Sequence, residues 1–483
     1  MMKRRDFNKG VLLGMAVAAT PGVLMADTKP TPTISGPVTG GKHGYPFTAY
    51  VGDLAERGYV EEEFFIDGKA TAYQSEGELG SDGKWQLAPG SQKAYRTRFI
   101  VRRPKNASDF NGTVLVEWLN VTLGHDIEVT GAMSNAIYDS GCVYVLASCQ
   151  RVGLVGAGDT KQGLHQWDPE RYGSLDISGD SLSFDILTQI GRVVGPKREF
   201  KGKDPLGGLQ PTTLLATGAS QSAMRLRGYI NGVHPLVNVF HGFLPTIDFG
   251  ISLGFDDAVL GGSSEGAPQV QFIPTIIRKD SKTPVIVVNS ETESLMYFRS
   301  RQPDSRYFRY WEVAGASHAP ASYAKVLDTM RERDDLVASN SAYGSVVPWG
   351  PTSDAALVDL IAWAQDGKLP PQADKIEVTF GDNKMPEVVR DEFGNAKGGI
   401  RLPEITVPTA THTAAILGFN SPLGLRGTTE PFTDDQLKAL YSSHEDYVNK
   451  VTKAAQHVAE QGFIPASEVQ HYVQQARQKA LNL

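Results

Sequence analysis

The sequence is poor in cysteine. Only two of its 483 residues are cysteines, Cys142 and Cys149, and they flank the apolar run 143–146. If that run is extended, the two Cα atoms lie ~20 Å apart, which is beyond the reach of a disulfide. We therefore expect two buried free thiols, unless a turn between them breaks the strand.

Dense basic blocks are also missing. After the first ten residues no cluster of Lys and Arg is compact enough to follow a phosphate backbone, and the formal net charge is -7. We therefore expect no nucleic-acid partner. No His, Cys or Asp group has the spacing of metal ligands and no cofactor motif is convincing, so we expect neither a metal nor a cofactor.

The first 26 residues have the features of an export signal. A basic start that includes Arg4 and Arg5 is followed by a weakly apolar stretch at 11–19 and by small residues before Asp27. The paired arginines, with an aromatic residue and a lysine after them, resemble the twin-arginine export motif. The apolar stretch is shorter than the ~20 residues of a membrane span. We expect the twin-arginine export machinery as a partner, cleavage after residue 26, no stable membrane anchor afterwards, and a periplasmic or secreted protein.

The pattern of polar and apolar residues changes near residue 112. Earlier runs such as 96–101 alternate between polar and apolar residues, which is typical of antiparallel strands with one wet face. Later runs are short, fully apolar and separated by helical stretches, which is typical of parallel strands buried on both faces. We predict an α/β fold with a mostly parallel, doubly wound sheet. The five predicted parallel strands are 113–116, 143–147, 213–216, 237–240 and 285–288.

The length of the chain requires material outside one core, because a single core seldom exceeds roughly 250–300 residues. A helix at 353–368 fits the end of the sheet domain, and two amphipathic helices follow near 433–460 and 466–481. A loop-rich insertion after the fourth strand suits a lid over a pocket. The predicted parts are a signal peptide (1–26), a polar lead (27–41), a sheet domain (42–368) with its insertion (about 245–281), and an extension (369–483) whose helices pack on that domain.

Residues 213–225 predict a buried strand, a tight turn and a helix, which is the setting of a nucleophile elbow. Ser220 is the predicted nucleophile. Gly218 suits the sharp turn, whereas Ser222 stands where a glycine is more usual. The backbone amide of Gln221 would face the developing oxyanion. A plain helix-capping serine would favour the same residue types.

A serine hydroxyl needs a base, and His318 is the predicted one. It lies in the small-residue loop 313–320 after an apolar strand, and it follows Ser220 in the chain order expected for this arrangement. Structural or surface roles are expected for His234, His241, His412, His444, His457 and His471.

The acid that orients His318 should follow a strand that comes after the nucleophile strand. Its usual position is three residues after a small turn residue, here Ser290, and this selects Glu293. Glu291 is the first alternative acid, and Asp304 and Asp248 are the others.

The second oxyanion donor should come from the loop after the first parallel strand. No His-Gly-Gly motif is present there. A backbone amide near Leu119, Asn120 or Val121 is the candidate, and we favour Asn120.

Four motifs together resemble the family known as "alpha/beta hydrolase domain" proteins. They are Gly-Ala-Ser-Gln-Ser at 218–222, Asn-Ser-Glu-Thr-Glu at 289–293, Gly-Ala-Ser-His-Ala at 315–319, and the tail motif at 390–403. The resemblance extends from about residue 40 to the C-terminus. It implies an α/β-hydrolase fold, a serine triad and a tail that belongs to the family, and it leaves the substrate open. Relatives more often carry Asp where this chain has Glu293.

Three functions are consistent with these residues. The first is hydrolysis of a small-molecule carboxylic ester through an acyl-Ser220 intermediate. The second is another acyl-transfer reaction on the same triad, such as amide or peptide cleavage or transfer to an acceptor other than water. The third is a non-catalytic binding protein that keeps the fold.

Overall fold

The structure, a computed structural model, covers the chain except for its N-terminus and four internal segments. The predicted signal peptide, residues 1–26, lies outside the described residues, as do residues 258–272 of the predicted insertion. Within the described part of the chain, no helix combines the length and apolar character needed to cross a membrane. The described residues are 31–157, 162–257, 273–336, 344–416 and 424–483.

Ten strands form one mixed sheet. In chain order they are β1 (Thr33–Ser35), β2 (Tyr59–Ser75), β3 (Leu87–Pro104), β4 (Thr113–Trp118), β5 (Val143–Ala147), β6 (Lys201–Gly202), β7 (Thr213–Ala219), β8 (Gly242–Thr246), β9 (Val285–Ser290) and β10 (Phe308–Val313). Their order across the sheet is β10-β9-β8-β7-β4-β5-β3-β2-β1-β6. The strands from β10 to β5 are parallel, whereas β5, β3, β2 and β1 pair antiparallel. The predicted mostly parallel sheet with N-terminal antiparallel strands is confirmed.

The sheet separates two hydrophobic cores. Along β9, Val285 and Val287 face one core, and Ile286 and Val288 face the other. This alternation follows from the opposite directions of successive side chains on a strand. Helices cover both faces, as a doubly wound sheet requires. They are α1 (Ala136–Asp139), α2 (Arg151–Val155), α3 (Leu164–Trp167), α4 (Pro169–Tyr172), α5 (Ser183–Val194), α6 (Gln221–Gly228), α7 (His234–Val237), α8 (Ser294–Tyr297), α9 (Ala321–Arg333), α10 (Gly350–Asp366), α11 (Pro403–Thr406), α12 (Asp434–Leu440), α13 (His444–Glu460) and α14 (Glu468–Gln478).

Four of the five predicted parallel strands are present, and the fourth prediction, 237–240, is wrong. Val237 is the last residue of α7, which Asn238 ends with a left-handed φ of 46°. The fourth strand is β8, which begins at Gly242. A short apolar run does not by itself distinguish a strand from the end of a helix.

The prediction of one wet face for residues 96–101 is also wrong. These residues lie within β3, and Thr97, Arg98 and Phe99 are all buried. Arg98 is buried because its guanidinium donates to the carboxylates of Glu63 and Asp126 at 2.9 and 2.8 Å. The alternation of polar residues therefore marks a buried ionic layer rather than a solvated face.

The C-terminal extension has three main helices where two were predicted. Tyr441 interrupts the predicted helix 433–460 and separates α12 from α13; its hydroxyl donates to the carbonyl of Pro408 at 2.7 Å. The extension also contains the hairpins β11 (Val378–Phe380) with β12 (Pro386–Val388), and β13 (Ala410–Thr413) with β14 (Thr428–Pro431).

The two cysteines are buried free thiols, as predicted. β5 lies between them and keeps them apart. Burial raises the pKa of Cys142 to about 11, which disfavours its reactive thiolate form.

Candidate active site

Ser220 occupies the sharp turn between β7 and α6. Its backbone has φ 58° and ψ −119°, a strained region for a residue that is not glycine. The turn is fixed because the Ser220 amide donates to the carbonyl of Thr246 at 3.1 Å and its carbonyl accepts from the amide of Met224 at 3.0 Å. The Ser220 side chain does not cap α6. A helix-capping role therefore does not account for this serine.

The residues on either side of Ser220 fit the turn. A Cβ atom added to Gly218 would lie 3.0 Å from the carbonyl oxygen of Ser222, so glycine is the residue that the turn accommodates without a shift. The Ser222 hydroxyl accepts from the amide of Ala219 and donates to its carbonyl, both at 2.9 Å. Serine can replace the more usual glycine here because its hydroxyl is satisfied within the turn.

His318 and Glu293 form a buried pair. Nδ1 of His318 and Oε1 of Glu293 are 2.6 Å apart, and the two side chains are 7% and 0% exposed. The other carboxylate oxygen of Glu293 accepts from the amide and the hydroxyl of Ser290 at 2.8 and 2.7 Å. Because Nδ1 donates to the carboxylate, Nε2 is the ring nitrogen left to accept a proton.

The alternative acids contact other groups. The Glu291 carboxylate accepts from the amide of Gly315 at 2.7 Å and pairs with Arg390 of the extension at 2.8 Å. Asp304 pairs with Lys375, and Asp248 pairs with Arg227. None of the three alternative acids therefore takes the place of Glu293 beside His318.

The three predicted catalytic residues lie at the carboxyl ends of neighbouring parallel strands. Ser220 follows β7, Glu293 follows β9 and His318 follows β10, so one edge of the sheet carries them all. This edge is where open α/β sheets place their ligands. Among the described residues, the structure shows no hydrogen bond between Ser220 and His318. Such contacts are often long without substrate and tighten when it binds.

The predicted oxyanion donor Asn120 is wrong for its backbone amide. That amide donates to the carbonyl of Ile127 at 3.1 Å and so is not free for a substrate oxygen. The Asn120 side chain instead donates to the carbonyl of Ala219, next to the nucleophile, at 2.9 Å. Asn120 therefore positions the elbow from the side.

Two other amides remain as donors. Leu119 donates to Ala147 at 3.2 Å, and within residues 119–122 of the described chain the Val121 amide is the one without an acceptor. Gln221 is the first residue of α6, where an amide has no acceptor within the helix. Among the amides predicted as oxyanion donors, those of Val121 and Gln221 therefore remain candidates.

Several supporting residues were not predicted from the sequence. The amide of His318 donates to Oγ1 of Thr292 at 3.0 Å, and its ring stacks on Phe249 with centroids 5.2 Å apart. Thr292 lies within the 289–293 motif, but its spacing does not reveal a contact with the loop after another strand. Phe249 lies in the predicted lid-like insertion and gives no sequence signal of its own.

The remaining histidines make other contacts. Burial lowers the pKa of His234 and of His412 to about 4, and hydroxyl groups of threonines contact both rings. His241 accepts from the amide of Leu214 at 3.1 Å. No group of three or more metal-ligating side chains occurs in the portion of the chain that the structure describes.

The mixed sheet, the strained serine after β7 and the histidine–carboxylate pair at the same edge define an α/β hydrolase. The chain belongs to the alpha/beta hydrolase domain family, whose profile matches residues 34–474. This match confirms the family resemblance and the fold class expected from the sequence. No curated protein matches the chain significantly.

Several solved structures are remotely similar. A prolyl endopeptidase shares 12% identity over 58% of this chain and 38% of its own, with a TM-score of 0.29. This chain thus spans well under half of that protein's length. A putative dienelactone hydrolase from Klebsiella pneumoniae shares 13% identity over 56% of this chain and 99% of its own, with a TM-score of 0.27. Est1E from Butyrivibrio proteoclasticus shares 10% identity over 50% and 93%, with a TM-score of 0.27.

Proposed function

We propose that the protein is an exported serine hydrolase that cleaves small-molecule carboxylic esters through an acyl-Ser220 intermediate. The observation that carries the proposal is the buried 2.6 Å contact between His318 and Glu293. It supplies an oriented base at the sheet edge where Ser220 lies in a strained turn. Membership of a hydrolase family agrees with this chemistry.

In the first half of the reaction, Nε2 of His318 takes the proton of Ser220 as its oxygen attacks the ester carbonyl. The amides of Gln221 and Val121 would hold the negative oxygen that forms. His318 then gives its proton to the departing alcohol, and the acyl group stays on Ser220. In the second half, His318 takes a proton from water, the resulting hydroxide attacks the acyl carbon, and the acid is released with Ser220 reprotonated.

Labelling by a fluorophosphonate tests the nucleophile and the catalytic role together. Wild-type protein should be labelled once and should hydrolyse p-nitrophenyl acetate, whereas Ser220→Ala should lose both properties while keeping its fold. The matched control is Ser443→Ala, because Ser443 also precedes a helix but its hydroxyl does cap that helix. The control should lose some stability and no activity.

Persistent labelling or more than a few per cent of the turnover in Ser220→Ala would refute the proposal. A protein that binds esters without turning them over would support the non-catalytic alternative. Turnover of matched amides faster than esters would instead support an amidase or peptidase.

Export is proposed on the sequence of residues 1–26 alone. Arg4→Lys combined with Arg5→Lys should keep the protein in the cytoplasm, as measured by cell fractionation. Normal export of the double variant would exclude the twin-arginine route.

A further inference from the structure

A groove of about 790 Å³ lies at the edge of the sheet that is opposite to Ser220. Its lining residues fall within 238–241, 282–284, 305–309 and 363–372, at the amino ends of β8, β9 and β10 and the end of α10. β10 has six residues, and at about 3.3 Å per residue its length separates the groove from the catalytic edge by ~20 Å. We call this site the amino-edge groove, and it is separate from the catalytic site.

Basic side chains line the amino-edge groove, and acidic ones do not. Its cations are Lys282, Arg306 and Arg309, and none of the described residues that line it is Asp or Glu. Lys282 and Arg306 lie 5.5 and 5.8 Å from the centroid of the Tyr307 ring, and neither forms an ion pair with a described residue. Because the whole chain has a formal net charge of -7, this positive charge is a local feature of the groove.

His241 adds a hydrogen-bond donor to the amino-edge groove. Burial is the main cause that lowers the pKa of its ring, so the ring is neutral at pH 7. Its Nδ1 accepts from the amide of Leu214 at 3.1 Å, which places the ring proton on Nε2. The groove therefore offers three cations and one neutral N–H donor.

Arg309 distinguishes the amino-edge groove from an ordinary basic surface, because its side chain is buried. Among the described arginines six are buried, and five of these pair with a carboxylate. The five are Arg98, Arg102, Arg171, Arg225 and Arg227. Arg309 is 4% exposed, yet its guanidinium donates to the main-chain carbonyls of Ser305, Phe308 and Pro370 instead. Its Nη2 makes no hydrogen bond to a described residue.

The charge of Arg309 lacks a dedicated counter-ion. Asp304, which contributes to the pKa of Arg309, pairs with Lys375 at 3.5 Å and accepts from the amide of Tyr310 at 3.3 Å. Burial is the main cause that lowers the pKa of Arg309, since a cation removed from water is unfavourable unless it is paired. An anion in the groove would supply the missing partner.

We propose that the amino-edge groove binds a small anion with two or more negative charges, carried by phosphate or carboxylate groups. The planar fork of arginine matches the oxygens of both groups, and Lys282 and Arg306 lie in the same groove to neutralise further charge. The volume is typical of sites that bind small molecules. Trp363, whose ring lies 5.5 Å from the guanidinium carbon of Arg309, supplies an apolar wall. This proposal is independent of the catalytic role of Ser220.

Isothermal titration calorimetry with pyrophosphate and with citrate tests the proposal on the purified protein in about 0.15 M salt. At least one probe should bind once per chain with a Kd below about 1 mM, and the tighter probe identifies the charged group that the groove prefers. Lys282→Gln and Arg306→Gln should each weaken this binding about fivefold, because both side chains are exposed. Arg309→Gln should weaken it at least about tenfold.

Lys453→Gln is the matched control. Lys453 is an exposed lysine of α13 and does not line the amino-edge groove, so its substitution removes the same charge and should leave the affinity unchanged. Ser220→Ala should also bind as tightly as wild type. A loss of binding in Ser220→Ala would place the anion in the catalytic site and overturn the proposal.

The proposal is also wrong if neither probe shows saturable binding, or if Lys453→Gln weakens binding as much as Lys282→Gln does. Arg309 holds three main-chain carbonyls, so Arg309→Gln might unfold, and circular dichroism checks its fold. In that case the double variant of Lys282→Gln and Arg306→Gln decides the matter. It should weaken binding about 25-fold if the two effects add, and an unchanged affinity would overturn the proposal.

Discussion

Two neighbouring glutamates show how contacts assign a role at the scale of single residues. Glu291 and Glu293 are both fully buried, and both follow β9. Only Glu293 reaches the ring of His318, because the chain turns at Ser290 and the carboxylate of Glu293 is held there. Glu291 instead contacts Gly315 and ties the loop that carries the base to the extension.

We predict that Glu293→Gln lowers kcat by at least a hundredfold, whereas Glu291→Gln lowers it by less than tenfold. The loss in the first variant follows from the wrong imidazole tautomer, which costs on the order of 10⁴ in a well-studied serine protease. Steady-state kinetics on p-nitrophenyl acetate would measure both, and Glu293→Asp should be partly active.

Glu291→Gln should act on stability instead, because it leaves Arg390 without its carboxylate partner. Chemical denaturation would show this as a lower free energy of unfolding. The reverse ranking in kcat would transfer the role of the acid to Glu291.

The sequence indicates which residues are candidates for catalysis better than it indicates the contacts that support them. Ser220, His318 and Glu293 each sit in a local pattern, a strand followed by a turn, that can be recognised along the chain. The amide of Asn120 was the wrong choice because its partner, Ile127, is set by the path of the loop rather than by spacing. Hydrogen bonds between distant segments leave no local pattern.

At the scale of elements, buried charges on two strands hold the loop 119–131 that carries Val121. Glu117 of β4 accepts from the amides of Val129 and Thr130 at 2.9 and 3.0 Å. On β3, Arg98 donates to Asp126 at 2.8 Å, and four residues further along the strand Arg102 donates to Glu128 at 2.6 Å. The loop is thus attached to both β4 and β3, the strands on either side of β5.

We predict that Asp126→Asn lowers the free energy of unfolding by about 3 kcal/mol, since it breaks a fully buried ion pair. It should also lower kcat at least tenfold more than it changes KM, because the Val121 amide loses its position. Glu62→Gln is the matched control: Glu62 of β2 pairs with Arg103 of β3, but both side chains are partly exposed. Its removal should cost at most about 1 kcal/mol and leave kcat unchanged.

Equal effects of the two substitutions on stability and on kcat would contradict this account of the loop.

The arginines of β3 show where the sequence pattern gives a wrong prediction for an element. The polar/apolar alternation at 96–101 predicts a solvated face that includes Arg98, whereas Arg98 and the neighbouring Arg102 are buried. The partner carboxylates on β2 and in the loop make this burial possible.

At the scale of the whole molecule, the extension completes the sheet domain. β10 is the edge strand, and Ile400 of the extension donates its amide to the carbonyl of Glu312 at 2.7 Å while its carbonyl accepts from Ala314 at 3.0 Å. Trp311 of β10 packs against Phe463 at 5.2 Å between ring centroids. An otherwise open strand edge is thereby paired and covered, directly before the loop that carries His318.

Acid should destabilise the molecule through its buried histidines. Burial is the main cause that lowers the pKa of His125, His234 and His412, each to about 4. The folded state therefore binds fewer protons at these rings than the unfolded state does between about pH 6.5 and pH 4. The stability that these neutral rings contribute is fully present above about pH 6.5, and it is lost as the pH falls through their pKa in the folded state, about 4.

We predict that His412→Asn reduces the acid sensitivity of the folded state. A change of pKa from 6.5 to about 4 corresponds to about 3 kcal/mol of stability that wild type loses on acidification at this one ring. Asparagine has no proton to take up, and its amide can still contact the Thr429 hydroxyl that His412 contacts at 3.1 Å. The free energy of unfolding, measured with urea at pH 7 and at pH 4, should fall in both proteins. The fall should be smaller in the variant by about 3 kcal/mol. An equal fall in the two proteins would mean that the His412 ring takes up its proton without unfolding, and the acid sensitivity would then belong to other groups.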